Sequence, residues 1–366
     1  MTKKDVFEKL PKVKFTGKSR TVLVSHNDLD GVVPAILLGL MQGNLEVYHV
    51  GNDVMSERIR FTIEKNIYSA DNIIITDISC NEQDAEVADN IIKRAKESGH
   101  KHANVVLLDH HTSSASHMNK YDWAVEFSEI IEDSFRANIR KFNSREVIPY
   151  KYSSATALLF DYLDYIDALK LEIHPDKYGN MIREMVQLTS SYDMRDEITR
   201  RAFALNDLLY LYGINIFKEM FLDRFGEAFL DIDTSLINTF DLKCLFINER
   251  KTDEKIECLR NKYRYDKIKL ADGKIYKCVY IFNSWTPSKV LEDMKKTYPD
   301  AEIYINIGDT AISLRRNDSS DIDLSKIAIL CGGGGHPGAS GVTIPFEKKL
   351  DLMIDMLNAE IINEEL

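Results

Sequence analysis

A chain of 366 residues with 44% apolar residues, 29% charged residues and a formal net charge of −11 has the makings of two or three folded domains. That charge argues against a protein that coats long nucleic acid through a broad basic surface, but not against one that grips a short nucleotide chain, because bound cations offset acid clusters. No apolar run approaches the length of a membrane span, and the charged start MTKKDVFEKLPKVKF lacks a signal-peptide core, so a cytoplasmic protein is expected.

In chain order, short β-branched runs alternate with amphipathic segments. TVLVS (21–25), LEVYHV (45–50), NIIIT (72–76) and NVVLL (104–108) read as strands. VVPAILLGLM (32–41), SERIRFTIEKN (56–66) and 81–99 read as helices, the last with acids early and bases late, as the helix dipole favours. Such alternation predicts an α/β fold with a parallel sheet and helices on both faces. From about 153 to 265 the pattern turns helical: SATALLFDYLDYIDALKL, GNMIREMVQLTSSY and RAFALNDLLYLYG are candidate helices, and the charged 248–267 reads as an exposed connecting helix. Strands return at 274–283, 301–308 and 310–316, around a helix near SKVLEDMKKTYP, and predict a smaller C-terminal α/β domain. The expected division is 1–200, a helical connector 201–265, and 266–366. Five cysteines with no CxxC pair indicate neither a disulfide framework nor a thiolate zinc site, and Cys80 and Cys331 read as small packing residues.

Polar residues gather at strand ends. TVLVS runs into His26, Asp28 and Asp30; NIIIT runs into Asp77; NVVLL runs into Asp109, His110 and His111. Ligands bind open parallel sheets outside the carboxyl ends of the strands, so these clusters are expected to meet in one crevice. An aspartate after a strand commonly caps a helix, and a single histidine is commonly structural. The coincidence at three strand ends sets this chain apart. Imidazole and carboxylate without thiolate suit divalent ions of the Mn2+ type, and a pair of ions would let one aspartate bridge. Asp109 and His117 stay closer to structural roles, Asp109 as a partner orienting a ligand imidazole.

CGGGGHPGASG (331–341) is the second signal. Its glycines, Gly333, Gly334 and Gly335 among them, let backbone amides approach an anion, and His336 adds a donor. The run follows a helix, DLSKIAIL, and precedes an expected edge strand, VTIPF. Upstream, Ser313 and Arg315 share one strand face with Arg316 opposite, and an arginine fork suits phosphate.

HNDLDG, the strand-terminal Asp77, DHH (109–111) and GGGGHPGASG together resemble the DHH phosphoesterases with a C-terminal DHH-associated domain. The short HxDxDG spacing and the strings SHNDLDGV and TDISCNE look most similar to the nanoRNase B-type oligoribonucleases. The resemblance implies a centre for two divalent metal ions, Mn2+ by expectation. One ion would take His26, Asp28 and Asp77; the other Asp30, Asp77, His110 and Asp193, the last chosen over Asp196 in SSYDMRD. His111 would contact the scissile phosphate, and Ser313, Arg315, Gly334 and His336 would hold substrate. Relatives acting on cyclic dinucleotides carry a longer first motif, and family II pyrophosphatases a basic C-terminal signature.

The expected function is hydrolysis of short RNA to nucleoside monophosphates. Alternatives are hydrolysis of a small nucleotide, such as a 3′-phosphoadenosine phosphate or a cyclic dinucleotide, and a non-catalytic nucleotide-binding regulator. The expected partners are short RNA or small nucleotides, with no membrane and with homo-oligomerisation open.

Overall fold

The computed structural model describes residues 6–41, 43–51, 54–126, 154–169, 176–193, 199–345 and 348. The chain divides into two compact units at 246/247.

In the first unit, β1 (Arg20–His26), β2 (Asn44–Val50), β3 (Asn72–Thr76), β4 (Asn104–Asp109) and β5 (Ala124–Glu126) form a sheet of order β2-β1-β3-β4-β5. All its pairs are parallel. The middles of β1, β3 and β4 read as unbroken apolar runs because successive residues face opposite, equally buried sides. Leu23, Ile74, Val106 and Leu108 pack on one side against α1 (Leu29–Gly39), α5 (Ala155–Tyr165), α6 (Asp176–Asp193) and α7 (Arg200–Phe229). Val22, Val24, Ile73, Ile75, Val105 and Leu107 pack on the other, against α2 (Met55–Asn66), α3 (Glu82–Glu97) and α4 (Thr112–Met118). The α/β class with helices on both faces is thus as expected. The order reverses between β1 and β3, which places the switch-point crevice beside the ends of those two strands.

The stretch 201–265 holds two helices, one to Phe229 and one from Thr239 to Arg260, with non-helical chain between them, and its parts differ in role. α7 breaks at Gly213, where φ is +74°, and its Leu205, Leu208, Phe217 and Phe221 belong to the core of the first unit. α8 (Thr239–Arg260) carries the 246/247 boundary. The chain beyond it corrects the sequence reading: residues 264–267, the end of the expected connecting helix, belong to β6 (Arg264–Lys269), an edge strand paired antiparallel with β7 (Ile275–Phe282). Charged residues on an edge discourage pairing with other chains, and they also hide the strand from a search for apolar alternation.

The second unit is a sheet of order β10-β11-β9-β8-β7-β6, with β8 (Ile303–Ile307), β9 (Ala311–Arg316), β10 (Gly334–His336) and β11 (Ala339–Thr343). Only β7 and β8 pair in parallel, joined by α9 (Pro287–Thr297). α10 (Leu324–Leu330) packs Leu324 and Ile327 beside Cys278, Ile303 and Leu314, and Cys331 after it is exposed rather than packed. The glycine run is a second correction. The run forms a hairpin whose edge strand is β10, so β11 (Ala339–Thr343), which takes in the start of the expected edge strand VTIPF, lies inside the sheet. Gly333 is required by close approach: a Cβ there would lie 2.1 Å from the Gly341 oxygen. Among the described residues no helix is long and apolar enough to cross a membrane. Residues 170–171, Asp196 and Phe346, included in the expectations above, lie outside the described residues.

Candidate metal centre

The acids and histidines expected to converge do so at the carboxyl edge of the first sheet. The HxDxDG loop closes on itself. Asp28 is the N-cap of α1 and accepts from the Gly31 N–H at 3.1 Å, so the helix starts at Leu29, inside the motif and earlier than expected. His26 Nδ1 lies 2.9 Å from Asp28 Oδ2 and 3.8 Å from Asp77 Oδ2. Burial acts to raise the Asp28 carboxyl, but the His26 imidazole and the Gly31 amide outweigh it and hold it below the ordinary carboxylate range.

His110 Nε2 lies 3.4 Å from Asp77 Oδ1, 3.4 Å from Asp193 Oδ2 and 3.7 Å from Asp30 Oδ2. The two Asp77 oxygens thus divide between a His26/Asp28 cluster and a His110 cluster. Asp77 sits just past β3 with φ at +59°, a left-handed conformation that aspartate tolerates better than most residues. It is buried among acids. Desolvation, then the charges of Asp30, Asp28, Asp109 and Asp193, push its carboxyl well above the ordinary range.

Asp30 is held differently. Its side chain is fully buried, and its two oxygens accept the N–H groups of Ala155 (2.7 Å) and Thr156 (3.0 Å) at the start of α5. Its backbone carbonyl would bond residue 34 in a regular helix, but that residue is Pro34, which has no N–H. The Thr156 hydroxyl donates to that carbonyl instead, at 2.9 Å. Ser154, the N-cap of α5, shares a 2.7 Å hydrogen bond with Ser190 of α6, the helix that ends in Asp193. An acid at a helix C-terminus opposes the macrodipole, which suits a residue placed for a nearby cation rather than for its own helix.

Asp109 is fully buried, and its Oδ1 lies 2.8 Å from His111 Nδ1. A carboxylate accepts, so Nδ1 carries the proton, and this bond raises the imidazole to about 9. His111 is 54% exposed, with its Nε2 left for a ligand. His117 is structural, as expected: its Nε2 lies 2.7 Å from the Cys80 carbonyl, in the turn after Asp77. Cys80 is buried, and burial pushes its thiol up to about 12, so it packs rather than reacts.

Can these residues hold cations? His26, Asp28 and Asp77 form one group with ligand atoms within 4.8 Å of one another, and Asp30, His110 and Asp193 another. Asp77 also groups with Asp109, His110 and His111. Asp77 Oδ2 and His110 Nε2 are buried without a hydrogen-bond partner among the described residues. Buried polar atoms rarely stay unsatisfied, and an oxygen-and-imidazole set fits divalent ions. The donor set therefore fits a pair of them.

Ser313 and Arg315 alternate along β9 and so share a face, opposite Gly341 and Ala339 of β11 respectively. Their strand belongs to the second unit, as do Gly333, Gly334, Gly335 and His336.

Sequence reasoning missed Glu126, His49 and the α5 amides. Glu126 and His49 stand at or next to the ends of β5 and β2, the same signal that exposed Asp77 and Asp109. Glu126 is buried beside Asp109 in register and accepts from the Ser79 hydroxyl. Burial pushes its carboxyl up to about 7, against the Ser79 bond. The raised acid keeps its proton in the folded chain where the unfolded chain, titrating at about 4.3, has lost it. Its contribution to stability is therefore lost as pH rises from about 4 to about 7. In thermal melts in EDTA across that window, Glu126→Gln is expected to lose less melting temperature with rising pH than the parent. Parallel profiles would show that Glu126 does not titrate in this way.

Residues 275–363 match the DHHA1 domain. The chain is 29% identical to oligoribonuclease NrnB of Bacillus subtilis (strain 168) over 333 residues, 89% of this chain and 73% of that protein. Among solved structures it resembles the pGpG-specific phosphodiesterase PggH from Vibrio cholerae, with a TM-score of 0.43, 13% identity, and coverage of 93% of this chain and 98% of that one. It also resembles an exonuclease RecJ bound to manganese, with a TM-score of 0.48, 12% identity, and coverage of 99% and 94%.

Proposed function

We propose that this chain, a DHH-type phosphoesterase with a C-terminal DHHA1 domain, hydrolyses short RNA oligonucleotides to nucleoside monophosphates in the cytoplasm with two Mn2+ ions. The observation that carries the reading is the division of Asp77, one oxygen toward His26 and the other toward His110. In this reading His26, Asp28 and Asp77 hold one ion, and Asp30, Asp77, His110 and Asp193 the other. Bound there, the ions supply a nucleophile at neutral pH and neutralise charge on the phosphoryl oxygens.

The chain's own groups do the rest. Asp109 fixes the His111 ring through its Nδ1–H and raises it to about 9, so that at neutral pH the ring is an imidazolium whose Nε2–H can donate to a phosphoryl or leaving-group oxygen. Asp30 is held in one orientation by the two α5 amides that donate to its oxygens. Ser313, Arg315, the Gly333–Gly335 backbone and His336 hold substrate phosphates; Arg315 can fork onto one bidentately.

Similarity to NrnB supports the oligonucleotide as substrate. The test is a panel at equal enzyme with Mn2+: RNA and DNA dinucleotides, a 3′-phosphoadenosine phosphate and cyclic dinucleotides, read by product identity. Nucleoside monophosphates are expected fastest from the RNA dinucleotide. A wide preference for the monomeric or cyclic species would replace the substrate assignment. Nucleotide binding in EDTA with no turnover under any divalent ion would replace it with a regulatory role.

A further inference from the structure

His49 lies outside every motif singled out from the sequence. It is the penultimate residue of β2, in register with Ser25, the residue before His26. Its Nδ1 is 2.9 Å from the His26 carbonyl oxygen. A carbonyl only accepts, so Nδ1 carries the proton and Nε2 the lone pair. Nε2 is buried and has no hydrogen-bond partner among the described residues, so the one bond this ring makes is to the backbone of a candidate metal ligand.

The same carbonyl is enclosed from the other side. A Cβ on Gly31 would stand 2.3 Å from the His26 oxygen, closer than atoms pack. The HxDxDG loop therefore closes around one oxygen. Gly31 makes room for it, Asp28 ties down the Gly31 N–H, and His49 donates to it from the neighbouring strand. The β1–β3 register ends at Ser25, so on that side no ladder reaches His26, while on the β2 side the register runs on to His26 opposite Val50 and His49 adds its side-chain bond there.

We infer that His49 is a positioning residue for the His26 side of the metal centre: its Nδ1–H holds the His26 peptide and so aims the imidazole at Asp28 and Asp77. The His110 side is positioned by other elements, β4 and the amides of α5, and does not depend on it. This inference rests on the two-ion reading above. It adds that the two ion positions respond separately to a change at His49. A bond that served only the sheet would alter melting temperature and leave ion affinities alone.

The test compares the full chain with His49→Asn and His49→Gln. The asparagine amide nitrogen can take the place of Nδ1, while glutamine reaches toward the place of Nε2. Each protein is stripped with EDTA, melted, and titrated with Mn2+ by calorimetry, with unbound ion counted by electron paramagnetic resonance. His49→Gln is expected to weaken one of the two ions by about 10- to 100-fold and leave the other as in the parent, the usual effect of losing a partner that orients a ligand. His49→Asn is expected to keep both within about threefold, since the donor is restored. If glutamine binds both ions as the parent does, or if a folded asparagine variant weakens as much as glutamine, His49 does not position this side. If both ions weaken together in the glutamine variant, the claimed separation fails. A parent chain that takes up no manganese would overturn the two-ion reading and this inference with it. A parent that takes up two, beside an unaffected glutamine variant, overturns this inference alone.

Discussion

Asp77→Asn is expected to lower turnover by at least about a thousandfold, equivalent to about 4 kcal/mol in the transition state, without lowering the stability of the metal-free chain. The loss follows from the shared position of Asp77, whose oxygens face His26 and His110 separately. An amide there offers one neutral oxygen where two anionic ones are needed, so both proposed ion positions weaken together. Stability should move the other way. In the metal-free protein the carboxylate is desolvated and surrounded by Asp30, Asp28, Asp109 and Asp193, which disfavour its charge. Asparagine has the same shape, carries no charge and tolerates the left-handed backbone at φ +59°. Melting in EDTA should therefore occur at the parent temperature or above it. Mn2+ should raise the melting temperature of the parent, because a ligand that binds only the folded state stabilises it, and should raise that of the variant far less. Full turnover in the variant would remove Asp77 from the chemistry. A variant that melts far below the parent in EDTA would show that the carboxylate serves folding instead.

The parts of this molecule written locally were legible, and the parts made by distant pairing were not. Strands buried on both faces must be apolar throughout, so NIIIT and NVVLL announced themselves, and the polar residues after them marked the edge where a parallel sheet binds ligands. Asp193 was legible only through its motif, since nothing in SSYD itself says that a helix will end beside His110. β5 has three residues, too few for any period to show, so Glu126 escaped notice. β6 is charged because it is an edge, and its strand character comes from pairing with β7. The glycine run read as an anion-binding stretch rather than a strand because glycine has low strand propensity. It pairs as a strand because Gly333 admits the approach of Gly341. Pro34 carried no signal of its own in the sequence, whereas its missing N–H frees the Asp30 carbonyl for the hydroxyl of Thr156, 126 positions beyond Asp30.

That last connection separates Asp30 from Asp77, although the two look alike in sequence. Asp30→Asn is expected to abolish turnover as Asp77→Asn does, but also to destabilise the metal-free chain by about 2–4 kcal/mol. Both Asp30 oxygens are acceptors of backbone N–H groups, from Ala155 at 2.7 Å and Thr156 at 3.0 Å. An asparagine must present its NH2 to one of them, so a donor meets a donor and a buried N–H of α5 is left without an acceptor. The variant also loses a negative charge at the N-terminus of a helix, where the macrodipole favours one. Packing cannot relieve this, because the side chain is fully buried and α5 starts directly against it. Urea unfolding in EDTA reads the stability, and the same preparation in Mn2+ reads turnover. An Asp30→Asn variant as stable as the parent would mean that the α5 amides do not depend on the carboxylate. Thr156→Val sharpens the point: it keeps the amide that holds the carboxylate and removes only the hydroxyl that serves the Asp30 carbonyl, so its cost should stay near about 1 kcal/mol. The difference between those two variants measures how much of the α5 start is held by charge rather than by the proline-vacated carbonyl, a division that activity measurements cannot make.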